Sequence, residues 1–393
     1  MMEDILYLFP ELERDVHTYS TTGVLTSRKI REMIGAGHIL PEHAIDEEQI
    51  QPASIDLRLG SIAYRVQASF LPGSSSTVMK KLHELLMAEV DLTKPAVFEK
   101  GCVYIVPLME MLNLPEGISA KANPRSTTGR LDIFTRLITD RGSEFERVPE
   151  GYKGKLYAEV VPRTFTILVQ EGTKLNQIRF MRGDSLTSDT KLSEVNRKEI
   201  LAYLDENTPA RAQIDKGLQI SVHLHEHGFP NIIGYKAKRD TPIIDFRRTN
   251  YYDPLDFWDI VPTPKTKSII LNPGDFYILG SKEKIRVPEA FAAEMIPFDP
   301  SLGEFRIHYA GFFDPGFGYG RNDIKGTPAV LEVRAHEVPF LIEDGQTVGR
   351  LVYIPLLEAP DKVYGTEIGS SYQHQMLSLS KQFKKSQLRI RRR

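Results

Sequence analysis

The stretch Asn123-Pro-Arg-Ser-Thr-Thr-Gly-Arg130 places two arginines, three hydroxyls and a glycine within eight residues. Guanidinium groups are permanently charged, forked donors that match phosphate oxygens. Hydroxyls and a glycine-relaxed backbone add short neutral donors to the same anion. Arg125, Ser126, Thr127, Thr128, Gly129 and Arg130 are therefore candidates for a phosphate loop, with a polar surface turn as the plain alternative. The second chemical signal is Glu159, in the strand-like run Lys155-Leu-Tyr-Ala-Glu-Val-Val161. A carboxylate among apolar strand residues is costly to bury unless it has a partner or a task. A nearby arginine such as Arg163 or Arg334 would serve as the partner.

The elements that must carry these groups read as short and mostly extended. Thr26 or Ser27 is placed to cap a helix over Arg28–Ile34, closed by Gly35 and Gly37. In Ile50-Gln-Pro-Ala-Ser-Ile-Asp-Leu-Arg-Leu-Gly60 the apolar residues alternate with Asp56 and Arg58, which is the period of a strand. Residues 61–66 read as another strand, and 75–90 carry a helical pattern. From 95 onward short strands are broken by Gly and Pro, as in a β-sandwich or barrel. The expected class is mainly β with a few short helices.

At 393 residues the chain exceeds one ordinary domain, and its 41% apolar content is enough for real cores. The net charge of −2 gives no global pull toward nucleic acid or membrane. No apolar run reaches the ~18 residues of a membrane span. The start, Met-Met-Glu-Asp-Ile-Leu, lacks the basic and apolar regions of a signal peptide. With Cys102 as the single cysteine, a cytoplasmic setting is expected.

Sliding the sequence against itself by 173 residues reveals a repeat. Gly101-x-x-Tyr104 falls on Gly274-x-x-Tyr277, Leu114-Pro-Glu116 on Val287-Pro-Glu289, and Glu159 on Glu332. Gly172 falls on Gly345, and Gln177-Ile-Arg-Phe180 on Arg350-Leu-Val-Tyr353. This predicts a first barrel over 1–190, a linker over 191–210, a second barrel over 211–360, and a tail over 361–393. The repeats differ where chemistry would sit. The arginine loop becomes Phe298-Asp-Pro-Ser-Leu-Gly303, with both arginines lost. The second repeat has Gly311-Phe-Phe-Asp-Pro-Gly-Phe-Gly318 where the first has Val148-Pro-Glu-Gly-Tyr-Lys-Gly154, with no Asp. Drift in a redundant half explains this, and so does divided labour.

At these residues the sequence resembles the deoxycytidine triphosphate (dCTP) deaminases of the dUTPase superfamily. The resemblance rests on Gln51-Pro-Ala-Ser-x-Asp-Leu-Arg-Leu-Gly60, Arg125-Ser-x-x-Gly-Arg130, Gly151-Tyr-x-Gly-x4-Glu159, Leu25-Thr-Ser-Arg-Lys-Ile30 and Tyr364-x6-Ser-Tyr-Gln-His-Gln375. It covers nearly the whole chain, in two copies. It implies two tandem dUTPase-like distorted, jelly-roll-like β-barrels, a homotrimer with sites between subunits, and deamination of dCTP to dUTP. Mg2+ would ride on the nucleotide phosphates. By the same resemblance Arg125, Ser126 and Arg130 bind phosphate, while Tyr157, Ala158 and Glu159 surround the base. Tyr364 and Gln375 match nucleotide-contacting tail positions. Two departures bear on sugar and phosphate contact: the family's Asp before Pro-Gly occurs only as Asp314, and the tail lysine is Ser371 here.

Deaminating cytosine adds water at C4 and expels ammonia. Many deaminases use zinc on His and Cys ligands, which one cysteine cannot supply in that pattern. The water must then be activated by a carboxylate in a low-dielectric pocket, Glu159 or Glu332. A dUTP diphosphatase, a bifunctional deaminase–diphosphatase, and a non-catalytic nucleotide sensor are the competing readings. A Gly-rich closing arm would favour the diphosphatase, yet the tail after 360 has only Gly365 and Gly369. His223, His225 and His227 alternate and share one strand face, a metal-type spacing without a marked fourth ligand. The basic end, Lys384–Arg393, reads as a frayed tail.

Overall fold

The computed structural model describes residues 20–226, 230–297, 305–307, 311–319, 324–335, 337–365 and 377–385. The loop 298–303, His227, Ser371, Gln375 and the basic residues beyond 385 lie outside the described residues.

The chain is mainly β, as expected. In the first repeat two curled sheets face each other. One runs Arg147–Val148, Ile118–Pro124, Lys174–Arg182, Ser54–Arg58 and Ile50–Gln51; the other runs Ile133–Thr139, Lys153–Pro162, Val103–Asn113, Ile62–Val66 and Leu86–Asp91. Alternation decides which side chains enter. In Lys153–Pro162 the buried Leu156, Ala158 and Val160 point into the main core, and Tyr157 and Glu159 point out of the barrel. The second repeat repeats this arrangement: Leu331 and Val333 of Thr327–Ala335 fill its own core, and Glu332 faces outward with Arg334.

Some local expectations shift. The first helix is Ser27–Gly35, capped by the Thr26 hydroxyl, which accepts from the Lys29 amide. The helical pattern over 75–90 yields only Val78–Leu85; Leu86–Asp91 is a strand paired with Ile62–Val66. Residues 191–210 are not a bare connection. Helix Asp189–Lys198 and strand Ala202–Tyr203 bury Leu192, Val195, Leu201 and Ala202 in the second core.

The repeats are joined by more than chain continuity. Ile244–Asp245 of the second repeat adds in parallel to Ile167–Val169 of the first. Arg179, fully buried, donates to the carbonyls of Ala53 and of Ala293, one in each repeat, and its guanidinium lies 4.1 Å over the Phe312 ring. Asp132 and Thr164 of the first repeat hold Arg334 of the second in a buried ion-pair network. The C-terminal segment 377–385 then returns across the first repeat, with the Phe383 ring packed among Tyr252, Phe257 and Trp258.

Candidate active site

The candidate phosphate loop is a single helical turn, Ser126–Gly129, following the strand Ile118–Pro124. Its position is fixed by backbone bonding: the Arg125 amide donates to the Leu175 carbonyl at 2.9 Å, and Thr128 Oγ1 donates to the same carbonyl at 2.8 Å. Thr127, Thr128 and Gly129 are buried and shape the turn, whereas Ser126 is exposed. The Thr127 carbonyl accepts from Ser380 Oγ of the C-terminal segment at 2.9 Å.

The two arginines leave the turn in different directions. Arg130 is buried; its Nη1 donates to the Ser378 carbonyl at 3.0 Å, and its Nε lies 4.0 Å from Glu332 Oε1 of the second repeat. Burial pushes the Glu332 carboxyl up to about 8, with the Arg130 charge pulling the other way. At the opposite end Arg125 Nε is 3.1 Å from Asp56 Oδ1. Burial also raises the Asp56 carboxyl above its usual range, against Arg125.

Asp314 lies close to that end. Its Oδ1 accepts from Arg179 Nη2 at 3.3 Å, and burial pushes its carboxyl up to about 6, with Arg179 opposing and the Asp56 charge adding. Gly316 and Gly318 shape the turn that follows Asp314. Gly318 has φ +80°, and a Cβ there would meet the Ile285 carbonyl oxygen at 2.1 Å, so only glycine fits. Tyr364 packs on this turn, its ring 5.2 Å from that of Phe317 and its amide bonded to the Pro315 carbonyl. Arg130 with Glu332, and Arg179 with Asp314, thus each pair a residue of the first repeat with one of the second.

Glu159 sits elsewhere. Its Oε1 accepts from Arg136 Nε at 3.0 Å and Nη2 at 2.6 Å, and it is fully buried. The arginine that pairs with it is its cross-strand neighbour, neither Arg163 nor Arg334. Arg136 itself lies between Phe134 and Phe145, at 4.5 and 3.4 Å from the ring centroids. Tyr157 belongs to a small apolar cluster beneath helix Val78–Leu85, and Ala158 faces the core. The equivalent glutamates therefore have different surroundings. One is matched by an arginine of its own sheet, and the other faces the loop of the opposite repeat.

His223 and His225 both approach Asp344, at 3.5 and 3.7 Å, but Lys282 Nζ is closer to it at 2.9 Å. Among the described residues no group of three His, Cys, Asp or Glu side chains is placed to hold a metal ion. Sequence reasoning missed Asp56, Arg136, Lys174, Arg179 and Lys381. Asp56 was visible within its motif. Arg136 is visible only once its strand is paired with that of Glu159, and Arg179 only once the second repeat is docked over it.

Comparison with known proteins shows what the whole chain is similar to. The N-terminal-domain model of 2'-deoxycytidine 5'-triphosphate deaminase matches residues 21–184, and the C-terminal-domain model matches 188–383. A dCTP deaminase, dUMP-forming, from Methanosphaera stadtmanae is 22% identical over 201 residues, half of this chain and 96% of the relative. One from Halobacterium salinarum is 36% identical over 110 residues, covering 27% of this chain and 52% of the relative. The crystal structure of 2'-deoxycytidine 5'-triphosphate deaminase from Agrobacterium tumefaciens is 48% identical, with a TM-score of 0.81 over 86% of this chain and all of that one. No described helix is long and apolar enough to cross a membrane. With both family domains matched in order along nearly its full length, this chain belongs to the dCTP deaminase family, enzymes acting on dCTP.

Proposed function

We propose that the chain deaminates dCTP to dUTP and ammonia at a site built by both of its repeats, with Glu332 as general base. The observation that carries this is the buried Glu332 carboxylate, 4.0 Å from Arg130 of the arginine loop. A water held against cytosine C4 loses a proton to Glu332 as its oxygen bonds to C4. That proton passes to N3; the new C4 hydroxyl then gives its proton, by way of Glu332, to the amine, and C4=O forms as the C–N bond breaks and ammonia leaves. Arg130 opposes the effect of burial on the Glu332 carboxyl and would donate to charge developing nearby. Ser126, exposed on the turn, would orient water or phosphate. Glu159 is already matched by Arg136, which supports a structural role for it in this chain.

Arg125 would be the leading phosphate contact, and Asp314, which lies in electrostatic range of Asp56, would approach the sugar. Mg2+ would arrive on the triphosphate. When bound, it would neutralise part of the phosphate charge. A homotrimer is the assembly we propose, from the family resemblance.

A second reading, deamination followed by release of diphosphate to give dUMP, is favoured by the names of the curated relatives. Incubation of the full chain with dCTP and Mg2+, followed by anion-exchange separation, tests both. Ammonia with dUTP supports the first reading; ammonia with dUMP and pyrophosphate supports the second. Binding of dCTP without ammonia release would leave a nucleotide sensor.

A further inference from the structure

Beyond Thr347–Pro355, the last strand of the second repeat, the chain crosses back to the first repeat. It lies along helix Ser27–Gly35 before it reaches Tyr364. The crossing is tight. The Leu357 amide donates to the Val24 carbonyl at 3.1 Å, and a Cβ at Gly23 would meet the Pro355 carbonyl oxygen at 2.2 Å. Val24 and Ala53 of the first repeat are buried there with Ala292, Ile354 and Leu356 of the second.

Past Leu357 the contacts become ionic. Glu358 accepts from Thr26 Oγ1 at 2.6 Å and from Arg28 Nε at 3.0 Å. Asp361 accepts from Ser27 Oγ and the Arg28 amide with one oxygen, and from Arg31 Nη1 at 2.6 Å with the other. Lys362 pairs with Glu47, the same carboxylate that receives Arg31. Against the opposing effect of burial, Ser27 and Arg31 hold the Asp361 carboxyl below its usual range. Only Lys362 and Val363 separate Asp361 from Tyr364. Three residue steps span at most about 10 Å, so a fixed Asp361 leaves Tyr364 little freedom. The Tyr364 amide donates to the Pro315 carbonyl at 2.8 Å, and its ring lies 5.2 Å from that of Phe317. Both partners belong to the turn that follows Asp314. Contacts thus run from the first helix, through Asp361, to the residues beside Asp314.

We propose that Arg31 and Asp361 are positioning residues for the nucleotide site: they clasp this strap to the first helix, hold Tyr364 against the Asp314 turn, and so set the affinity for dCTP. The inference rests on the deaminase reading for the identity of the nucleotide.

The test uses the full chain. In a Glu332→Gln background, which should bind dCTP without turning it over, isothermal titration should show affinity reduced about ten-fold by Asp361→Ala, near the loss expected for one charge-assisted hydrogen bond. With Glu332 present, the same change should raise KM in step at nearly constant kcat. Asp361→Asn keeps an acceptor for Ser27 and loses only the charge facing Arg31, so it should fall between. Lys29→Ala, on the same helix but paired within it to Glu32, should change nothing. Trypsin cleavage after Lys362 reports the clasp itself and should speed up in Asp361→Ala below its melting temperature; thermal melting of each variant separates this from global unfolding. Unchanged dCTP affinity in an Asp361→Ala protein whose Lys362 bond has become cleavable overturns the proposal, and so does an Asp361→Ala protein as resistant there as wild type. Weakened dCTP binding by Asp361→Ala, in a chain that with Glu332 intact never releases ammonia, keeps the positioning role and removes the deaminase reading.

Discussion

Arg130 of the first repeat points its Nε at Glu332 of the second across 4.0 Å, while the sequence-equivalent Glu159 is held by Arg136 of its own sheet at 2.6 Å. The same residue type at the same register thus meets a loop of the opposite repeat in one case and a cross-strand neighbour in the other.

The two glutamates should separate in a paired substitution. Glu332→Gln is expected to lower kcat by on the order of 10²–10⁴, the span of general base catalysis, with dCTP binding retained. Glu159→Gln should keep turnover near wild type and lower stability by roughly 3 kcal/mol, because Arg136 loses its buried counter-charge. Steady-state kinetics and chemical denaturation read the two effects. The reverse pattern would move the base role to Glu159.

Activity and stability should respond to pH in opposite directions. The Glu332 carboxyl is pushed up to about 8 in the folded chain, from an ordinary value of 4.5. The folded protein therefore binds this proton more tightly than the unfolded chain does. The stability associated with it is complete below about 4.5 and is lost as pH rises through about 8. The base works only when ionised, so kcat/KM should climb over the same interval and level off above about 8. Rate and melting profiles of wild type and Glu332→Gln check this; the variant should lose the stability slope. A wild-type rate already flat from pH 6 would contradict it.

Asp132 fixes the docking of the second repeat through Arg334 and Thr164. It also has φ +52°, a conformation that Asn tolerates and Ala does not. Asp132→Ala should cost about 3–5 kcal/mol, since it strands a buried guanidinium. Asp132→Asn should cost less because the backbone is spared. Both should lower kcat with the displacement of Glu332 from Arg130, and equal urea midpoints for the two variants would argue against the backbone contribution.

Subunit mixing distinguishes a site within one chain from a site between chains. Arg130→Ala and Glu332→Gln chains, co-refolded in equal amounts, should show no recovery of deamination, because each chain spoils its own cleft. Recovery toward a quarter or more of wild-type turnover would place Arg130 opposite a neighbouring chain's glutamate.

Metal dependence follows from the donor set. Deamination should survive a zinc-selective chelator and fall when Mg2+ is withdrawn, since the ion travels with the phosphates. Stoichiometric zinc lost together with activity would overturn this and direct attention to His223 and His225.

Much of this was legible from spacing alone. The alternation around Asp56 and Glu159, the arginine-bearing turn and the fixed offset between repeats are local or periodic signals, and they led to a mainly β tandem fold. Strand period assigns Glu159 and Glu332 to the outer face of their sheets, but it cannot say what covers that face. The difference between them depends on Arg136 in one case and on the opposite repeat in the other. Arg179 alternates with the core residues Ile178 and Phe180, and the docking of Ala293 and Asp314 over it makes it interior. Residues 191–210 read as polar because the apolar positions that enter the second core, Leu192, Val195, Leu201 and Ala202, are few among charges.

The pairing of Ile167–Val169 with Ile244–Asp245 gives the tandem architecture a one-way character. A gene duplication that leaves two self-sufficient barrels can be undone by deleting either. Here the first barrel's small sheet is finished by hydrogen bonds from its twin, so a shortened gene would encode a raw, unpaired edge, the usual starting point for self-association. Once that strand was shared, neither half was dispensable to the other's solubility. Each was then free to discard residues its partner still held, which is the pattern of loss the two loops display.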